Sequence, residues 1–219
     1  MSLHLPEFTR ATKSAFLILA IASPSLEGCA WTNMSTYRDP VSVGHGPLSR
    51  IAIFAVVGDL AKRQTVESLA VELIKERTLA DAVRAIDLLP PTRVFTAEEA
   101  AVELTKAGAD GALFIILTNA YVDHYQMPGT STTTGFGSVY GGTIYYQGQT
   151  IHQPGAQFSK PREAHELKLA DLSTGSLVWI SSSFTRGNAF ADDEVMADSM
   201  VKVALEELAK EGLLRPRPK

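Results

Sequence analysis

Apolar residues recur along this chain at two spacings, and those spacings divide it into strands and helices. Arg50-Ile51-Ala52-Ile53-Phe54-Ala55-Val56-Val57 is apolar almost throughout, the pattern of a strand covered on both faces. Gly58-Asp59 ends it. Val66, Leu69, Ala70, Leu73 and Ile74 then follow at helical spacing, which predicts a helix with Lys62, Arg63, Glu67, Glu72 and Lys75 on its solvent side. Asp81 to Ile86 alternates weakly and reads either as a short strand or as a prolonged helix, ended by Pro90-Pro91. Thr96-Ala97-Glu98-Glu99 is a capping signature that opens a helix to Lys106, and Gly108 closes it. Ala112 to Leu117 is a second fully apolar strand, continued by Ala120-Tyr121-Val122.

A period of two returns between Glu163 and Arg186, which reads as a hairpin. Leu167 and Leu169 alternate with Glu166 and Lys168 in the first arm, while Leu177-Val178-Trp179-Ile180 is apolar on both faces and predicts a deeper strand. Asp171 and Gly175 are expected to set the turn at Ser173-Thr174-Gly175. A last helix from about Asp192 carries Ala197, Val201, Ala204, Leu205 and Leu208 as its stripe, with Gly212 as C-cap and Leu213-Leu214 packing back. The expected fold class is α/β (α+β): a single domain over residues 49–214 with a mixed β-sheet flanked by helices. The element order is β-α-β-α-β, a projecting hairpin or loop, then β-β-α. Residues 215–219 are expected to form a flexible tail, and 29–48, with Pro40, Gly44, Gly46 and Pro47, an extended tether in which His45 is a solvated loop residue.

Between Asp123 and Pro161 the composition shifts to Gly, Thr, Ser, Tyr and Gln with almost no charge. An insertion over 123–161 is long for a compact domain, and such segments tend to be functional. It is read here as a long hairpin or loop that projects from the sheet. Tyr121, Tyr125, Phe136, Tyr140, Tyr145 and Tyr146 are its candidate partner-binding residues, because an aromatic side chain offers large contact area at low entropic cost. A segment folded back on its own sheet is the alternative.

Composition narrows the function further. The chain has 219 residues, 45% hydrophobic and 20% charged, enough for one sizeable core, and its net charge of −4 with no Lys/Arg cluster argues against nucleic acid as a partner. Arg10 and Lys13 precede the apolar run Ala15 to Ala22, too short to span a bilayer but suited to a secretory signal over residues 1–28. Cys29 is the only cysteine, so no intrachain disulfide can form. Leu26-Glu27-Gly28-Cys29 resembles a bacterial lipoprotein signal, with Glu27 standing where that family has a small neutral residue. The resemblance implies thioether lipidation of Cys29 with a diacylglyceryl group and cleavage just before it, giving a membrane-anchored, palmitate-bearing protein. Ala30 resembles the outer-membrane sorting preference, which implies a periplasm-facing domain. Ordinary cleavage after Ala22, with Cys29 left as a thiol or buried structurally, remains open.

Catalytic signatures are sparse. Gly58-Asp59 lacks the glycines and Lys-Ser/Thr of a phosphate loop, and Gly135-Phe136-Gly137 has no following helix start. His124, His152 and His165 show no metal-ligand spacing and are expected to be exposed loop histidines. No nucleophile elbow or carboxylate pair stands out. The expectation is therefore a non-enzymatic protein with no catalytic residues, no metal and no cofactor, with a metal- or ligand-binding periplasmic protein using His124, His152 and His165 as the lesser alternative.

The apolar strand Ile51 to Val57, Lys106-Ala-Gly-Ala-Asp-Gly-Ala-Leu113 and Leu169-Ala-Asp-Leu-Ser-Thr-Gly-Ser-Leu-Val-Trp179 resemble a superfamily of envelope lipoproteins. It includes the curli-secretion channel lipoprotein, the polysaccharide-export ring lipoprotein, the outer-membrane activators of peptidoglycan synthases and the N-terminal domain of the Tol-system propeller protein. The likeness covers most of Arg50 to Leu214. It implies a mixed sheet, a homo-oligomer that is frequently a ring, and envelope proteins or cell-wall glycan as partners. Thr130 to Ile151 lacks the clean alternation of membrane-barrel strands, which argues against a pore of that kind.

Overall fold

The computed structural model describes residues 28–40, 46–140 and 143–218. The signal segment as far as Glu27, and His45, lie outside the described residues. Twelve elements follow in the order β1 (Ala30–Arg38), β2 (Arg50–Val56), α1 (Leu60–Arg77), β3 (Asp81–Arg84), α2 (Ala85–Leu88), α3 (Ala97–Lys106), β4 (Gly111–Met127), β5 (Thr130–Tyr140), β6 (Thr143–Gln153), β7 (Ala156–Asp171), β8 (Ser176–Gly187) and α4 (Asp193–Lys210). A six-stranded mixed sheet of order β1-β8-β7-β4-β2-β3 forms the centre, and β5 pairs only with β6. The expected class stands: one mixed sheet flanked by helices.

The local reasons match the sequence at most boundaries. Asp59 caps α1 by accepting from the Lys62 amide at 2.7 Å. Thr96 and Glu99 close a reciprocal capping box on α3, with the Thr96 amide 2.9 Å from the Glu99 carboxylate. Asp171 accepts from the Ser173 amide at 2.8 Å and the Ser173 hydroxyl at 2.6 Å, while Gly175 supplies φ +69° for the β7–β8 turn. Asp81 to Arg84 resolves as a strand, parallel to β2.

The main core lies between one sheet face and the helices α1 and α4. Ile51, Ile53, Leu113, Ile115, Leu167, Leu169 and Trp179 meet Val66, Leu73, Ile74, Met200, Val201, Leu205 and Leu208 there. A smaller cluster on the opposite face puts Ala52 and Phe54 under Leu89, Phe95 and Leu104 from the α2–α3 region, and the Phe54 and Phe114 rings stack at 4.7 Å. Among the described residues that cover stops at β2 and β4, and the outer faces of β8 and β1 carry none.

Four expectations are corrected. The tether placed over 29–48 instead forms strand β1 over Ala30–Arg38, paired antiparallel with β8 from Ala30–Gly187 to Arg38–Trp179. Alternation with Thr32 inward and Trp31, Asn33, Ser35 and Tyr37 outward is what the Pro and Gly content downstream concealed. The tail is not free through residue 217, because the Arg217 amide donates to Arg77 at 2.7 Å and the Leu79 amide to Arg215 at 2.9 Å. Glu67 is not on a solvent face: it is fully buried, accepting from the Ala55 and Ile86 amides at 3.2 and 3.0 Å and from Arg63 at 2.9 Å. In β8, Trp179 is buried as expected, but Leu177 is exposed and Ile180 only half-buried, since no helix among the described residues covers the outer face there.

Candidate functional site

The most distinctive feature is an arm built by two strands that outrun their sheet. β4 and β7 pair from Gly111–Asp171 to Met127–Ala156, with a register shift between Leu117 and Asn119. β2 accompanies β4 only to Ile116, and β8 accompanies β7 only as far as Arg162. Beyond those points, among the described residues, β4 and β7 have only each other. The hairpin β5–β6 then prolongs the arm in a register running from Thr130–Gln153 to Tyr140–Thr143. The described residues of the projecting insertion therefore pair as a hairpin rather than forming a loop.

A waist divides the arm. Met127-Pro128-Gly129 on one strand stands against Gln153-Pro154-Gly155 on the other, and the ladder is interrupted there because proline has no amide to donate. The two glycines let the backbones approach closely: a Cβ at Gly155 would lie 2.4 Å from the Met127 carbonyl oxygen.

The six candidate aromatics separate into two groups. Tyr121 and Tyr125 are exposed on the proximal arm, in register with Arg162 and Phe158. Phe136, Tyr140, Tyr145 and Tyr146 take backbone positions in β5 and β6 opposite Gln147, Thr143, Ser138 and Gly137, and their side chains lie outside the described residues. On the outer face of the root, successive register partners form one row across four strands: Trp31, Arg186, Arg162 and Tyr121. The Arg186 guanidinium lies 5.7 Å from the Trp31 ring and 5.2 Å from that of Phe184, and Lys160 lies 5.3 Å over Tyr125. Arg162 pairs with Asp123 at 2.9 Å and donates to the Gly187 carbonyl at 3.0 Å.

On the inner face the root is polar and buried. Lys62 donates to Glu163 and, at 3.0 Å, to Asp193, which ties the first turns of α1 and α4 to the point where the arm departs. Burial alone would lower the Lys62 pKa, but these two carboxylates raise it above the ordinary lysine value. Thr32 shares hydrogen bonds with Thr185 at 2.9 Å and Ser199 at 2.8 Å. His165 is buried beside Glu163, and burial together with the Lys62 charge pushes its pKa down to about 4. Its Nδ1 and the Ser181 and Ser183 hydroxyls have no hydrogen-bond partner among the described residues.

His165 thus corrects the expectation of an exposed loop histidine, and the signal was available. Glu163 and His165 have the parity of Leu167 and Leu169, and Ser181, Ser183 and Thr185 have that of Trp179. His124 and His152 are exposed and bond to Ser159 at 3.2 Å and Ser131 at 2.8 Å. The three histidines do not converge, and among the described residues no three His, Cys, Asp or Glu side chains gather.

Cys29 is exposed, directly ahead of β1. Its carbonyl accepts from the Asn188 amide at 2.8 Å, and Ala30 pairs with Gly187, so it lies at the end of the sheet from which the arm emerges. No helix among the described residues is long and apolar enough to cross a membrane.

Neither a family profile nor a curated protein matches this sequence. Among solved structures, a PelC dodecamer from Paraburkholderia phytofirmans is similar at 15% identity and a TM-score of 0.48, covering 85% of this chain and 99% of that one. A variant of that PelC gives 13% identity, a TM-score of 0.49, and 81% and 98% coverage. Lipoprotein GNA1162 from Neisseria meningitidis gives 14% identity and a TM-score of 0.40, covering 74% of this chain and 99% of that one. At such TM-scores these similarities assign neither a family nor a function.

Proposed function

We propose that this chain is a non-enzymatic lipoprotein of the bacterial outer membrane, anchored through Cys29, that assembles an envelope complex through its arm. The arm carries the reading. Its distal hairpin is a two-stranded sheet with both edges open, and an isolated hairpin of that kind is marginal on its own. No Asp, Glu, Lys or Arg occurs between Asp123 and Lys160 to guard those edges. An ordered, uncharged, open-edged arm fixed to a rigid sheet by the Lys62–Glu163 contact is suited to pairing with another protein or stacking on a glycan. Crosslinking from Thr134 in the native envelope tests this. A discrete adduct is expected, and an arm that captures nothing while the protein remains in the outer membrane would sink the assembly role.

A second reading, a ring component of an export or secretion channel, is compatible with the same open edges, since edge-to-edge pairing of identical copies forms a ring where the rotation between copies closes. Native mass in detergent separates the two. A monomer removes the ring.

A further inference from the structure

We infer that the root of the arm is a membrane seat: the row Trp31, Arg186, Arg162 and Tyr121, with Lys160 over Tyr125, meets the phosphate-bearing headgroups of the bilayer. The inference rests on the lipid-anchor reading of Cys29 and gives that anchor a geometry. β1 begins at Ala30, so no tether separates an acylated Cys29 from the sheet, and the end of the sheet beside it must lie against the bilayer. That is the end where the row stands. Trp31 and Tyr121 are each about half exposed, at 55% and 46%, and both have an apolar body with a polar tip, the form that favours a membrane–water interface. Arg186, Arg162 and Lys160 face Asp123 as the one carboxylate paired into the group, leaving an excess of positive charge for anionic headgroups.

The chain beyond the row agrees. Charge stops at Asp123 and Lys160, which are register partners, so the last ion-bearing rung of the arm is level across both strands.

The test uses the tryptophans as reporters. The protein, purified from the envelope, is reconstituted into vesicles of phosphatidylethanolamine and phosphatidylglycerol carrying lipids brominated near the glycerol. Emission from Trp31 is expected to be quenched while that of core Trp179 is not, and Trp31→Phe should abolish the quenching. Unquenched Trp31 in a protein whose intact mass shows an acylated Cys29 overturns the seat and leaves the anchor standing. In parallel, the chain from residue 29 onward, made without the signal segment and carrying Cys29→Ala, is floated with the same vesicles. It is expected to co-float, with Arg186→Gln and Lys160→Gln each weakening binding about fivefold. Co-flotation by Cys29→Ala, alongside an intact mass showing an unmodified Cys29, supports the seat and overturns the anchor. Failure of Cys29→Ala to float, or equal binding to neutral phosphatidylcholine, overturns the seat.

Discussion

Gly129 and Gly155 meet across the arm so closely that a Cβ on Gly129 would lie 2.7 Å from the Gln153 carbonyl oxygen and 3.0 Å from the Gly155 amide. Both contacts are backbone, so neither can yield by a rotamer change. Gly155→Ala is expected to displace one strand at the waist and loosen β5–β6 without touching the core. Amide exchange should show lost protection in the distal hairpin with an unchanged urea midpoint. A cooperative loss of stability would mean that the arm and the sheet are one folding unit.

Lys62 and Glu163 join the first turn of α1 to the strand that becomes the arm, and both side chains are largely buried, at 14% and 6% exposure. Removing one partner leaves the other as a buried charge. Glu163→Ala is therefore expected to cost about 3 kcal/mol by urea unfolding. Asp193 stays within reach of Lys62 and limits the loss. Converting Lys62→Met in the same chain should recover most of the cost, because the orphaned ammonium is gone. No recovery would show that the contact acts through packing rather than charge.

The fold was legible wherever pattern and turn chemistry agreed. Thr96-Glu99, Asp171-Gly175 and the stripe of α4 each declare their element locally. β1 was hidden because a half-covered edge strand with Thr, Asn and Ser at alternating positions resembles a linker until β8 supplies its partner. The arm's extent was equally hidden, since Thr, Ser and Gly give no apolar alternation; only the register of β4 with β7 shows that the chain remains paired as far as Met127. Cys29 is visible in the sequence as the lipidation candidate, whereas the row of Trp31, Arg186, Arg162 and Tyr121 draws on four strands that are distant in sequence. No linear motif announces it. Glu67 was misplaced for another reason: a carboxylate on a buried helix face is satisfied by the Ala55 and Ile86 amides and by Arg63, partners that a helical period cannot supply, whereas the burial of His165 follows from its parity with Leu167 and Leu169.

His165 makes stability depend on pH. Burial holds its folded pKa near 4, while the unfolded imidazole takes a proton near its ordinary value of about 6.5. The unfolded chain therefore binds more protons between those values, so stability is full above about pH 6.5 and is lost as pH falls toward 4. The loss from this residue is on the order of 3 kcal/mol across that window. Urea midpoints at pH 7 and pH 4.5 should differ strongly in the native chain, and His165→Gln should reduce the difference. An unchanged slope in the variant would show that His165 does not carry the effect.

Trp179 and Trp31 lie on opposite faces of adjacent strands, and their substitutions should part accordingly. Trp179 is 1% exposed, packed in the main core, with an indole nitrogen that has no hydrogen-bond partner among the described residues. Its truncation removes apolar contact without breaking a hydrogen bond, so Trp179→Ala is expected to cost about 3–5 kcal/mol through the cavity it leaves. Trp179→Phe keeps the ring and loses less. Trp31 stands on the open face, 55% exposed, with the Arg186 guanidinium 5.7 Å from its ring, and Trp31→Ala should change stability by less than about 0.5 kcal/mol. Urea unfolding followed by circular dichroism checks both, and a large loss from Trp31→Ala would mean that the outer face is structural and not available to a membrane or a partner.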